Sequence, residues 1–249
     1  PDLELFFAVS LDGGGMSSPD GVNWTNRTIP GAVSWRGVEW SSELGLFVIV
    51  GVSGGLATSP DGITWTTRTP AESNDWRSVA WSSELGLFAA VSTTGTNRVM
   101  TSPDGINWTS RSASSASSWF YLIWIPELSI FIASAETGTD RLMTSSDGIT
   151  WTAQTPAVDQ RWFGFAWSPE LGLFCAVGNG LGGPPYSNQI GISSDGINWS
   201  YSSININYKF GRIEWVPYLQ LFVAISDNGL ADSIFTSPDG ATWTQQTAP

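Results

Sequence analysis

The chain has 249 residues, 41% hydrophobic and 13% charged, with 27 Gly and 14 Pro; it can bury a sizeable core, is dense in turns and lacks the composition of a disordered segment. Ten Lys+Arg against 22 Asp+Glu leave a net charge of −12, and Lys209 is the only lysine, which removes the counterion-release term that nucleic acids and anionic membrane surfaces reward. With no histidine and one cysteine, Cys175, Ser-His-Asp and Cys-His nucleophile systems, histidine-ligated zinc and an intrachain disulfide are excluded too.

In chain order, Leu3-Glu4-Leu5-Phe6-Phe7 reads as a strand, followed by Ser18-Pro19-Asp20-Gly21-Val22-Asn23-Trp24-Thr25, a segment that returns five more times. Its aspartates are Asp20, Asp61, Asp104, Asp147, Asp195 and Asp239, spaced 41, 43, 43, 48 and 44 residues apart. That period fits four short strands plus turns, the content of one propeller blade. No stretch shows a helical 3.6-residue pattern.

The second repeat displays the full unit. Strand A is Trp35 to Trp40, with counterparts that begin at Trp76, Trp119, Trp162 and Phe210 and end at Trp81, Trp124, Trp167 and Trp215. A turn, Ser41 to Gly45, leads to strand B, Leu46 to Val50, which is apolar on both faces and therefore requires cover on both sides. Strand C, such as Arg98 to Ser102, precedes the Pro-Asp-Gly turn. Strand D, such as Ile106 to Arg111, follows it. In that turn Pro presets φ at its second position, Asp tolerates the third and Gly suits the fourth, so a tight hairpin is expected.

All 15 tryptophans fall on three repeat positions: six in strand D, four at the start of strand A and five at its end. Such periodicity assigns them to the core rather than to a ligand. The arginines are also periodic: Arg27, Arg68 and Arg111 share one position, Arg36 and Arg77 another, and Arg98 and Arg141 a third. The longest apolar run, Trp119 to Pro126, is about eight residues, whereas a bilayer span needs about 20. No membrane insertion is expected. The first residue is Pro1, so the reading is of a processed chain or a piece of a longer one.

The repeated Ser-Pro-Asp-Gly-x-x-Trp segment, as in Ser59-Pro60-Asp61-Gly62-Ile63-Thr64-Trp65, resembles the hairpin of the Asp-box, or BNR-like, repeat β-propellers, whose box reads Ser-x-Asp-x-Gly-x-x-Trp. Here the box is one residue shorter, and Ser146 and Ser194 replace Pro in the fourth and fifth copies. The resemblance covers the whole chain. It implies a structural role for the six box aspartates and is silent on function, since such propellers include sialidases, secreted binding proteins, assembly factors and virion proteins.

The fold expected is therefore all-β: one domain, residues 1–249, forming a six-bladed β-propeller of four-stranded antiparallel blades. Its repeats run approximately 1–30, 31–70, 71–113, 114–156, 157–203 and 204–249. Strands B, C and D occur six times and strand A five times, so the first blade lacks its inner strand, to be completed by a neighbouring chain or by residues outside this sequence.

The arginines, being repeat positions, do not supply a sialidase's carboxylate-gripping triad. A glycosidase needs two carboxylates at a set separation, and Glu39 and Glu214 are the pair to test. They share one strand A position, where other repeats carry Ala80, Ile123 and Ala166, and would flank the first repeat if strand A lines a central channel. Glu43, Glu84, Glu127 and Glu170 form a turn series. Asp227, Asn228, Gly229 and Asp232 have the oxygen donors Ca²⁺ prefers but not EF-hand spacing. No catalytic residue, metal or cofactor is assigned.

What varies between repeats points to recognition, because a scaffold spends its constant positions on folding and its loops on binding. The A–B and C–D turns share one face and are nearly constant; the B–C and D–A connections share the other and differ in every repeat. The fifth repeat carries an insertion, Gly178 to Gln189, with Pro184-Pro185-Tyr186 at its centre. Tyr186 is the first candidate for ligand binding, with Asn179, Asn188, Asp140, Arg141 and Asp227 around it. The function expected is non-enzymatic binding or assembly of a glycan or protein partner, extracellular or on a virion or cell surface. A carbohydrate-active hydrolase and a lectin are the alternatives.

Overall fold

A computed structural model describes residues 3–31, 33–154, 160–180, 189–203, 210–226 and 234–246. Tyr186, Asn188 and Asp227 lie outside them. The described residues form six antiparallel sheets in sequence order, the arrangement of a β-propeller with a three-stranded first blade. The chain divides into two compact units, Pro1–Ala133 with Ser145–Thr152, and Ser134–Thr144 with Ala153–Pro249.

The first sheet is β1 (Phe6–Val9), β2 (Gly14–Ser18) and β3 (Thr25–Thr28). The second is β4 (Trp35–Ser41), β5 (Leu46–Gly51), β6 (Leu56–Ser59) and β7 (Thr66–Thr67), and the third is β8 (Trp76–Ser82), β9 (Leu87–Ser92), β10 (Val99–Ser102) and β11 (Thr109–Arg111). The fourth comprises β12 (Trp119–Ile125), β13 (Ile130–Ala135), β14 (Leu142–Ser145) and β15 (Thr152–Gln154). The fifth is β16 (Gln160–Ser168), β17 (Leu173–Gly180), β18 (Gln189–Ser193) and β19 (Ser200–Ser203), and the sixth is β20 (Phe210–Val216), β21 (Leu221–Ser226), β22 (Ile234–Ser237) and β23 (Thr244–Gln246).

In the first unit β5 buries both faces. Phe47 and Ile49 pack with Trp35, Ala57 and Trp65 and against Leu5, Phe7 and Val9 of the first repeat. Val48 and Val50 pack with Trp76, Val79, Phe88 and Met100 of the third sheet. A strand apolar on both faces is thus explained by a sheet on either side. In the second unit Cys175, Val177 and Ile190 join Phe210, Ile213, Phe222 and Phe235 in one core.

The first strand of a sheet carries a feature that alternation alone does not predict. Pairing slips by one residue between Trp35 and Gly37, Trp76 and Ser78, Trp162 and Gly164, and Phe210 and Arg212. Each slip is a β-bulge, which re-aims the following side chains. Beside the first bulge a Cβ on Gly37 would lie 3.1 Å from the Arg77 carbonyl oxygen, so a side chain there would require β4 and β8 to give by a few tenths of an ångström.

The hairpins between third and fourth strands are longer than the sequence reading predicts. In the third repeat the fourth strand begins at Thr109, not Ile106, and Trp108 belongs to the turn. The cause is the box itself, whose carboxylate captures the backbone N–H groups that a strand would donate across a ladder.

Candidate functional site

The box hairpins are closed hydrogen-bond systems. In the second repeat Ser59 Oγ donates to Asp61 Oδ1 at 2.9 Å and accepts the Gly62 N–H at 2.8 Å. Asp61 Oδ1 also accepts the N–H groups of Ile63 and Thr64 at 2.8 and 2.7 Å. The same carboxylate pattern recurs at Asp20, Asp104, Asp147, Asp195 and Asp239. At Asp104 and Asp195 burial is the largest single influence and opposes ionisation, but the N–H and side-chain amide of Asn107 and Asn198, the N–H of Ile106 and Ile197 and the hydroxyls of Ser102 and Ser193 together outweigh it and hold the carboxyls at about 2. At Asp20 the N–H and side-chain amide of Asn23, with the N–H of Val22, hold the carboxyl far below the ordinary range.

Three of the four turn glutamates are tied down by a contact the sequence reading missed; in the fourth repeat Glu127 makes no such bond, and the buried Trp167 Nε1 is without a partner among the described residues. Trp81 Nε1 donates to Glu43, Trp124 Nε1 to Glu84 and Trp215 Nε1 to Glu170, each at 2.8 Å. Every pair links one repeat to the next. The signal in the sequence was the parallel recurrence of Glu in the turn and Trp at the end of the first strand.

Glu39 on β4 is partly buried, and desolvation pushes its carboxyl up to about 7 against a smaller opposing contribution from the Trp40 N–H. Glu214 on β20 is shifted upward as well, by desolvation, with Arg212 opposing. The two belong to different compact units. Cys175 is a buried free thiol, its ionisation disfavoured by burial and then by the Asp239 carboxylate. Among the described residues no three of His, Cys, Asp and Glu gather in a metal-binding group.

The variable loops of the first unit meet and bind one another. The Ser53 N–H donates to Asp75 Oδ1 at 2.8 Å, and the Asp75 N–H donates to Thr94 Oγ1 at 2.8 Å. Glu72 Oε1 accepts from Ser110 Oγ at 2.6 Å and from Asn97 Nδ2 at 2.7 Å, and Asn74 Nδ2 reaches the Asn97 carbonyl at 2.7 Å. These donors, Ser110 first, keep the Glu72 carboxyl below its ordinary range. Arg98 Nη1 donates to the carbonyls of Thr93 and Ser117 at 3.0 and 2.8 Å. No repeat pattern announces Glu72, because its partners come from its own loop, from the β9–β10 connection and from strand β11.

In the second unit the outcome for the sequence candidates is mixed. Arg141 is 8% exposed and donates to the Glu136 carbonyl. Asp140 precedes it in the same connection, partly buried. Glu136 also lies 3.8 Å from Arg161 in an exposed ion pair, a weak tie in water. Asn179 stands on β17, opposite Arg161 of β16, so the predicted insertion is shorter than it reads: Gly178–Gly180 and Gln189 are strand. A Cβ on Gly178 would lie 1.9 Å from the Arg161 carbonyl oxygen, which is how β17 pairs so far along β16.

The fold and these hairpins define a β-propeller. No family model matches the sequence, and no curated protein does. Solved structures with the same fold include YCF48 bound to D1 peptide, with TM-score 0.72 and 17% identity over 98% of this chain and 77% of that one. A GH74 xyloglucanase from Xanthomonas campestris gives 0.73 and 13% over 98% of this chain but only 43% of the enzyme. A nidogen/laminin complex gives 0.64 and 9%, over 93% and 88%. Identities this low establish fold alone.

Proposed function

We propose that this chain is a non-enzymatic recognition or assembly module of Asp-box type, set outside the cytoplasm on a virion or cell surface, that binds a glycan or protein partner through its variable loops. The observation that carries the reading is the cross-tied loop face of the first unit, where Glu72, Asn74, Asp75, Asn97 and Arg98 spend their polar atoms on holding one loop against the next. A face held rigid before binding loses less entropy when a partner arrives. Nidogen and YCF48, both propellers seen in complexes, support a binding use of this architecture. Tyr186 in the longest variable loop, with Asn179 and Asn188 beside it and Asp140, Arg141 and Asp227 from other connections, is the proposed binding set.

A second reading has one specific observation in its favour: a carboxyl raised to about 7, as at Glu39, suits a general acid. GH74 propellers share the fold. A defined glycan panel, assayed for both binding and release of reducing sugar, separates the two. Saturable binding without turnover, weakened by Tyr186→Ala, supports the binding module. Turnover abolished by Glu39→Gln overturns it.

A further inference from the structure

An aspartate followed by glycine is prone to backbone rearrangement, because no Cβ on the glycine hinders its nitrogen from approaching the aspartate Cγ. The chain has seven such steps: six in the boxes, at Asp20, Asp61, Asp104, Asp147, Asp195 and Asp239, and one outside them, Asp12-Gly13. Asp12 lies in the turn between β1 and β2.

The boxes hold back the reacting groups. Each box carboxylate accepts, at Oδ1, the N–H groups of the second and third residues after it. The glycine nitrogen would be the nucleophile, and the N–H groups of Gly21, Gly62, Gly148 and Gly196 donate to the box serine at 2.8 or 2.9 Å. The same bonds keep the carboxyl ionised, at about 2 for Asp104 and Asp195, whereas ring closure consumes the neutral acid, which can release its hydroxyl as water.

Asp12 is held by none of these bonds. It is exposed, and among the described residues no group donates to its carboxylate. Its own N–H reaches Ser10 Oγ at 3.3 Å, and the Gly13 N–H reaches the Ser10 carbonyl at 3.2 Å, both long bonds in an exposed turn. Exposure alone does not set it apart, since Asp20 of the same repeat is exposed as well, and Gly21 has a positive φ, +71°, as Gly13 does, +88°. The bonding differs: the Asp20 carboxylate accepts from Ser18, Val22 and Asn23.

We propose that Asp12-Gly13 is a site of spontaneous isoaspartate formation, left open by the fold while the six box steps are protected. The Gly13 nitrogen attacks Asp12 Cγ; the N–Cγ bond forms, the amide proton and the carboxyl hydroxyl leave as water, and a succinimide ring closes. Water then adds to either ring carbonyl. Opening at Cγ restores aspartate, and breaking the original peptide bond leaves a backbone that runs through Cγ and is longer by one methylene. No oxidant or cofactor enters. In this turn the Leu11 carbonyl accepts from Ser34 Oγ at 2.8 Å and the Gly13 carbonyl from Trp35 Nε1 at 3.2 Å, so the longer backbone loosens the seat of the loop on the second repeat. The site stands whatever the variable loops bind.

The test ages the 249-residue chain for several weeks near neutral pH and physiological temperature, then maps each Asp-Gly peptide by mass spectrometry with fragmentation that distinguishes isoaspartate. Isoaspartate should accumulate at Asp12 at least about tenfold faster than at any box, because a box must first break bonds to a charged acceptor. In urea the seven rates should converge, which assigns the difference to the fold and not to neighbouring residues. Asp12→Glu, which would need a larger ring, should remove the fast signal and leave the melting temperature unchanged. Asn179 and Asn228, each followed by glycine, close the same ring with loss of ammonia and gain mass on hydrolysis, so the map separates them. A folded-state rate at Asp12 no faster than at Asp20, or a difference that persists in urea, overturns the proposal.

Discussion

At the residue scale, the box carboxylates act as backbone acceptors, and their charge matters because the N–H groups they face prefer the ionised form. Asp104 illustrates the sign. Its carboxyl titrates at about 2 in the folded chain and near 4 when unfolded, so between those values the unfolded chain binds more protons and stability rises with pH. The contribution is complete above about pH 4 and is lost as pH falls through 2. Asp104→Ala should cost about 1 kcal/mol at pH 7, and Asp104→Asn should flatten the acid limb of a stability curve measured by urea denaturation. Glu39 behaves in the opposite sense. Folded at about 7 and unfolded near 4.3, it binds more protons in the folded chain over that window, so stability falls as pH rises through it. Glu39→Gln should stabilise the protein at pH 8 by about 2 kcal/mol and change little at pH 4; a Tm series across that range checks it.

At the scale of elements, the strands follow from residue type and the irregularities do not. Ile49 and Val50 on opposite faces of β5 made a two-sided burial legible, and the hairpin tryptophans Trp65 and Trp151, 6% and 8% exposed, pack inward, whereas Trp24 of the first hairpin is 42% exposed. Trp65→Ala should cost roughly 3–5 kcal/mol by leaving a cavity, several times the loss from any single box carboxylate, and denaturant midpoints of the two variants measure the order. The bulges beside Gly37 and Gly164 were not legible, since a slip in pairing is decided by the partner strand. Gly178 makes the same point on β17: Gly178→Ala forces a Cβ into the Arg161 carbonyl and should cost more than about 2 kcal/mol, visible as faster amide exchange in β16 and β17.

At the scale of the whole molecule, net charge and repeat number dominate. With 22 acidic and ten basic side chains the sequence pI is about 4.1, and a protein at its isoelectric point loses the repulsion that keeps copies apart. Turbidity should peak near pH 4 and clear on either side. The six sheets and the three-stranded first sheet were both legible from counting strands, because a repeat fixes its own internal pairings. The cross-tied loops were not, since Glu72, Asn97 and Ser110 are far apart in sequence and share no repeated position.

What the sequence by itself determined is whatever the repeat encodes locally: the blade, its box hairpin and the tryptophan positions. These depend on residues within one period, where spacing and side-chain chemistry suffice. The tertiary structure alone decided which side chains from different periods meet. It paired three of the four turn glutamates with the tryptophans of the next repeat and raised the carboxyl of Glu39 by desolvation. Burial and hydrogen bonding between repeats are properties of packed neighbours, and no single repeat carries them.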